Sequence, residues 1–165
     1  CSAIDNAKMI EVCSTTLPQL AIPVIMSDPR YLPYREELNN QIGKRSKIIA
    51  GILGQIPELM FNETYGAFYN TIVFKEDVLN DTQTLPIQNE ANKALVEKWV
   101  SEPNIDLDKR FVYYLLAATG ICVVPISSFC SDLKGFRVTL LEENEELLQK
   151  TFTNIRDAIR AYLKS

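Results

Sequence analysis

The sequence contains no histidine. Without an imidazole, no side chain exchanges a proton near neutral pH at its ordinary pKa. Ser-His-Asp and Cys-His nucleophilic sites are therefore excluded, as are most zinc and non-haem iron sites. Glycine is scarce: its six residues never cluster, so there is no glycine-rich loop to cradle a phosphate. The four cysteines, Cys1, Cys13, Cys122 and Cys130, form no CxxC and match no common metal-ligand spacing. They read as reduced, mostly buried thiols of a cytoplasmic protein. No stretch reaches about 18 uninterrupted apolar residues and no basic, apolar, small-residue leader is present, so neither a membrane span nor secretion is expected. Basic charge is in deficit, with 17 Lys and Arg scattered among 21 Asp and Glu for a net charge of -4. A nucleic-acid partner wants a concentrated basic face, and none is expected here.

What is present describes one modest domain. The 165 residues are 47% hydrophobic and 23% charged, enough to build a core without metals or cross-links. The chain opens Cys1-Ser2-Ala3-Ile4-Asp5, without an initiating methionine and with amphipathic helical text at once. This suggests a piece of a longer polypeptide.

Apolar residues Met9, Ile10, Val12 and Cys13 predict a short helix from Ile4 that ends before Pro18. Pro18, Pro23, Pro29 and Pro33 then allow only a brief helix at Gln19–Met26, and residues 1–33 read as an entry arm. From Tyr34, the series Leu38, Ile42, Ile49, Leu53 and Ile56 traces one face of a long helix ended by Gly54 and Pro57. Its acids Glu36 and Glu37 precede its bases Lys44, Arg45 and Lys47, an order that suits the helix dipole. Glu58–Phe61 and Ala67–Phe74 read as strands, and Lys75–Gln88 as an irregular loop. Ala91–Val100 reads as a helix with Leu95, Val96 and Trp99 facing inward. Asp106 caps a further helix, Leu107–Thr119, which Gly120 stops. Ile121–Pro125 and Phe136–Leu141 are strand-like, and a terminal helix runs through Leu148, Phe152, Ile155, Ile159 and Leu163. The order of elements implies an α+β fold, helices packed on one face of a small mixed or antiparallel sheet, with residues 34–165 as the domain.

Arg137 is the first candidate functional residue. In Phe136-Arg137-Val138-Thr139-Leu140, alternation sends Phe136, Val138 and Leu140 to one side and Arg137 with Thr139 to the other. A guanidinium in such apolar text either faces solvent, joins an internal ion pair or awaits a carboxylate, whose two oxygens match its fork. Spacing does not choose among these. Lys134 reads as a surface lysine beside Asp132, since an amine nucleophile needs desolvation or a neighbouring cation. Tyr113 and Tyr114 lie in helical apolar text and read as core.

Thr119-Gly120-Ile121-Cys122-Val123-Val124-Pro125, then Gly135-Phe136-Arg137-Val138-Thr139-Leu140 and a terminal helix, resemble the pyridoxal-phosphate-dependent aminotransferases of class I and II, alanine aminotransferase among them. Gly66-Ala67-Phe68-Tyr69 is similar to a strand motif of that family, and Tyr34–Ile56 resembles the helix leading into its small domain. The resemblance implies the carboxyl-terminal small domain, with Arg137 as the arginine that clasps the substrate's α-carboxylate. The sequence departs from the family at Ile126 and Cys130, where glycine is usual. None of its ten lysines has the context of the coenzyme-bonding lysine. By resemblance that lysine, the aspartate pairing with the pyridine nitrogen and most phosphate ligands belong to a large domain not represented here. The expectation is a parent transaminase using pyridoxal 5'-phosphate on an amino acid and a 2-oxo acid, typically a homodimer. The isolated chain would hold no coenzyme and turn nothing over. An amino-acid-sensing module with the same fold and no turnover is the alternative.

Overall fold

A computed structural model describes residues 2–10 and 15–165; Cys1, Val12 and Cys13 lie outside the described residues, as does the side chain of Ile10. Two compact units are present, Cys1–Asn40 and Gln41–Ser165.

The first unit is helical. Helix α1 spans Ser2–Ile10 and α2 spans Thr16–Ser27, longer than its prolines led one to expect. Pro18 falls in the first turn of α2, where an amide N–H would have no helical partner anyway. Pro23 is internal and removes one backbone bond, a loss that the rest of the helix absorbs. No residue of α2 is buried, and Leu17, Leu20, Val24 and Ile25 are all exposed. Helix α3, Tyr31–Leu53, begins here and runs on into the second unit. Its first turn holds no acid and its last no base, so the charge order along it adds little to its end energetics.

The second unit carries a four-stranded antiparallel sheet in the order β1-β2-β4-β3. Its strands are β1 Leu59–Met60, β2 Tyr69–Phe74, β3 Val124–Pro125 and β4 Gly135–Thr139. Register pairs Ile72 with Phe136 and Asn70 with Val138 on the buried face, and Thr71 with Arg137 on the other. Three helices complete the unit: α4 Glu90–Val100, α5 Leu107–Thr119 and α6 Glu145–Tyr162. Phe111 meets Phe74 and Tyr162 edge-on at 5.2 Å each, which knits α5 to β2 and to α6. On α6, Leu148, Phe152, Ile155 and Ile159 are buried on one face, as the spacing predicts; Tyr162 completes that face, while Leu163 lies just past the helix and is half-buried. Asn144 accepts from the Leu147 amide at its start, with Glu145 and Glu146 in the first turn and Arg160 in the last.

Three expectations are corrected. On α4 only Val96 is buried; Leu95 and Trp99 are exposed, and Trp99 lies against Tyr113 of α5 with ring centroids 5.3 Å apart. Strand β3 is reduced to two residues, because Ile121–Val123 has no ladder partner among the described residues. Cys122 and Cys130 are free thiols but exposed rather than buried.

The loop between β2 and α4 has no regular structure but buries Leu79, Leu85 and Ile87. Arg110 of α5 braces it, donating to the Gln83 carbonyl at 3.3 Å and stacking its guanidinium 5.3 Å from the Tyr114 ring. Gly120 ends α5 in the left-handed region at φ 75°, the conformation that favours glycine at this position.

Candidate carboxylate site on the sheet face

Arg137 occupies the middle of β4, paired with Thr71 of β2 on one side and Val124 of β3 on the other. It is half-buried on the face opposite the core, where alternation predicts it. Two aromatic rings hold it. Its guanidinium carbon lies 4.4 Å from the Tyr69 centroid and 4.1 Å from that of Phe129. Among the described residues no ion pair and no hydrogen bond reaches this guanidinium, so its N–H edge keeps its full donor capacity.

The two rings come from different places in the chain. Tyr69 opens β2, pairs with Thr139 and so lies diagonally across from Arg137. Phe129 ends a short 3-10 turn, Ile126–Phe129, and Cys130 after it takes the left-handed conformation with φ 56°. Glycine adopts that conformation at no steric cost, which is why its usual presence there suits the turn; the turn survives here with a cysteine.

A cavity of about 270 Å³ adjoins the strand, with Arg137, Val124, Thr139, Leu147 and Thr151 among its lining residues. Arg137 and Glu142 are the charged residues of that lining.

Lys134 is not adapted for bonding a coenzyme. Its Nζ lies 2.6 Å from Asp106 Oδ1, while Lys109 Nζ reaches Asp106 Oδ2 at 3.1 Å. The hydrogen bond to Asp106 raises the Lys134 pKa, so the amine stays protonated at neutral pH. Its hydrogen-bonded carboxylate is Asp106, 28 residues away in sequence. Asp106 does precede α5, yet its side chain makes no capping bond because the two lysines engage it. Lys134, three residues before Arg137, is thus engaged in an ion pair. No group of three or more metal-binding side chains occurs among the described residues.

An antiparallel sheet covered on one face by helices, closed by the amphipathic α6, is the architecture of an aminotransferase small domain. The chain is similar to an uncharacterized aminotransferase of Methanocaldococcus jannaschii, with 47% identity over 163 residues, 99% of this chain and 37% of that protein. Its fold is similar to the crystal structure of the aspartate aminotransferase from Rhizobium meliloti, with a TM-score of 0.63 and 25% identity over 90% of this chain and 32% of that one. No family model matches the chain. The aminotransferase resemblance therefore extends along almost the whole chain, and the chain spans about a third of the length of these relatives. No helix among the described residues is long and apolar enough to cross a membrane.

Tyr69 and Phe129 are the residues that sequence reasoning did not place in the site. The alternation in β2 puts Tyr69 on the same face as Thr71, a usable signal. Phe129 gave none, because its position depends on how the turn folds back over β4.

Proposed function

We propose that this chain is the small domain of a pyridoxal-phosphate-dependent aminotransferase and that Arg137 receives the α-carboxylate of the substrate. The observation that carries the reading is an unpaired, half-buried guanidinium held between two rings on the open face of the sheet. Stacking fixes the plane of the fork and leaves its edge for two parallel N–H to O bonds. In the parent enzyme the coenzyme supplies the electron sink for amino transfer between an amino acid and a 2-oxo acid. The residues of this chain orient the substrate by its carboxylate and, on closure, shield the site from water. The remainder of the parent supplies the coenzyme-bonding lysine, and such proteins work as cytoplasmic homodimers. By itself the chain has no turnover.

The test is Arg137→Ala in the full-length parent. Loss of a charge-assisted bidentate contact worth about 2–3 kcal/mol predicts a fall of about 30- to 150-fold in kcat/KM. Arg137→Lys should recover little of it, because a point charge does not reproduce the fork. A fall of less than about threefold would end the assignment. Retained amino-acid binding in a parent without any turnover would instead favour the sensing module.

A further inference from the structure

Asp108, in the first turn of α5, has no solvent exposure at all. No lysine or arginine forms an ion pair with it among the described residues. Its carboxylate is instead filled by hydrogen bonds from one loop and its own helix. Oδ1 accepts from Ser127 Oγ at 2.6 Å and from the Lys109 amide at 2.9 Å. Oδ2 accepts from the Ser127 amide at 2.9 Å and the Gly135 amide at 3.4 Å. Ser127 lies within the turn that carries Phe129, and Gly135 begins the strand that carries Arg137. One buried carboxylate thus ties both ends of the segment between the ring and the guanidinium.

The junction has little room to adjust. A Cβ on Gly135 would collide with the Ile72 carbonyl oxygen and stand 2.6 Å from Ile126 Cδ1, so this backbone is pressed against β2 and the turn. Between the two tied ends only Phe129 reaches Arg137 as a stacking partner, at 4.1 Å.

We propose that Asp108 is a positioning residue: by anchoring Ser127 and Gly135 together, it holds the Phe129 ring on Arg137 and so sets the plane in which the guanidinium meets a carboxylate. The stacking stands on geometry alone, while its use in substrate binding rests on the reading of Arg137 given above. A burial role without positioning would leave the Arg137 environment untouched whenever the variant folds.

The experiment is the nitrogen-edited NMR signal of the Arg137 Hε in the full chain, assigned by its absence from Arg137→Lys. Ring currents from two stacked faces move this proton upfield, and Phe129→Ala marks the position with one face removed. Asp108→Ala, which removes all four bonds, should shift Hε downfield to near that mark. Asp108→Asn keeps an acceptor for the Ser127 and Gly135 amides and a donor for Ser127 Oγ, so it should fall between wild type and alanine. Ser127→Ala should give a smaller shift in the same direction. A wild-type Hε position in folded Asp108→Ala overturns the proposal. Should Asp108→Ala fail to fold, wild-type positions in both Asp108→Asn and Ser127→Ala overturn it. The readout needs no substrate, so failure of the carboxylate reading, seen as unchanged turnover in Arg137→Ala, is a separate result.

Discussion

The Arg137 guanidinium carbon lies 4.1 Å above the Phe129 ring, although the two residues come from a strand and from the turn that precedes it. A half-exposed cation-π contact contributes about 0.5–1 kcal/mol. Phe129→Ala should therefore lower kcat/KM of the parent by about two- to fivefold, mainly through KM, because the ring orients the clamp without touching reacting atoms. Steady-state kinetics check this, and a loss as large as that of Arg137→Ala would mean that the ring does more than support the guanidinium.

Gly135 tolerates no side chain. With a Cβ placed against the Ile72 carbonyl oxygen and 2.9 Å from Val73 Cα, Gly135→Ala must push β4 away from β2. Overpacking of this kind costs about 1–3 kcal/mol or somewhat more, measurable as a lowered urea midpoint. Gly43, where a Cβ meets nothing within 4 Å, provides the contrast: Gly43→Ala in the middle of α3 should not destabilise.

Asp106 makes stability fall in acid. Hydrogen bonds from Lys134 and then Lys109 hold its pKa below the ordinary aspartate value. A depressed folded-state pKa contributes stability that is present above the unfolded value, about pH 4, and lost as pH drops through the folded one. Thermal melts from pH 6 to pH 2 should show Asp106→Asn with a shallower decline than wild type across that window. Parallel declines would show that the ion pairs add nothing to folding.

Tyr162 acts at the other end of the scale. Burial raises its hydroxyl pKa to about 12, with the Arg110 cation pulling the other way. The unfolded chain loses that proton first, near pH 10, so stability is complete below that value and falls as pH rises toward 12. Among the described residues no hydrogen bond within normal geometry reaches this buried hydroxyl, although the Arg110 cation lies near it, so Tyr162→Phe should leave stability at pH 7 unchanged or slightly higher. Between pH 10 and pH 12 the variant should lose less than wild type, by up to about 3 kcal/mol. Urea titrations at the two pH values decide it.

Much of the fold was legible from period alone. The face of α6, the alternation in β4 and the stop at Gly120 are local properties, set by 3.6- and 2-residue repeats and by glycine's access to positive φ. Other features were not. Leu95 and Trp99 read as inward because they are apolar, yet what a short helix buries depends on its neighbours, and α5 meets α4 along Val96 and the edge of Trp99. Helix α2 extends further than a proline count suggests, because a proline in the first turn breaks no helical hydrogen bond. The Asp106–Lys134 pair joins residues 28 apart in sequence, a separation that no local pattern signals.

The sequence by itself determined that this chain contributes no imidazole to any chemistry, that an α+β sheet domain forms, and that Arg137 leaves the core face of its strand. These follow from composition and from periods along the chain. Only the tertiary structure decided that no carboxylate among the described residues pairs with the guanidinium, that Tyr69 and Phe129 close on it, and that Asp108 ties the turn to the strand. The reason is physical: each of these is a contact between segments whose separation in space is set by strand register and loop closure, quantities to which no local repeat responds.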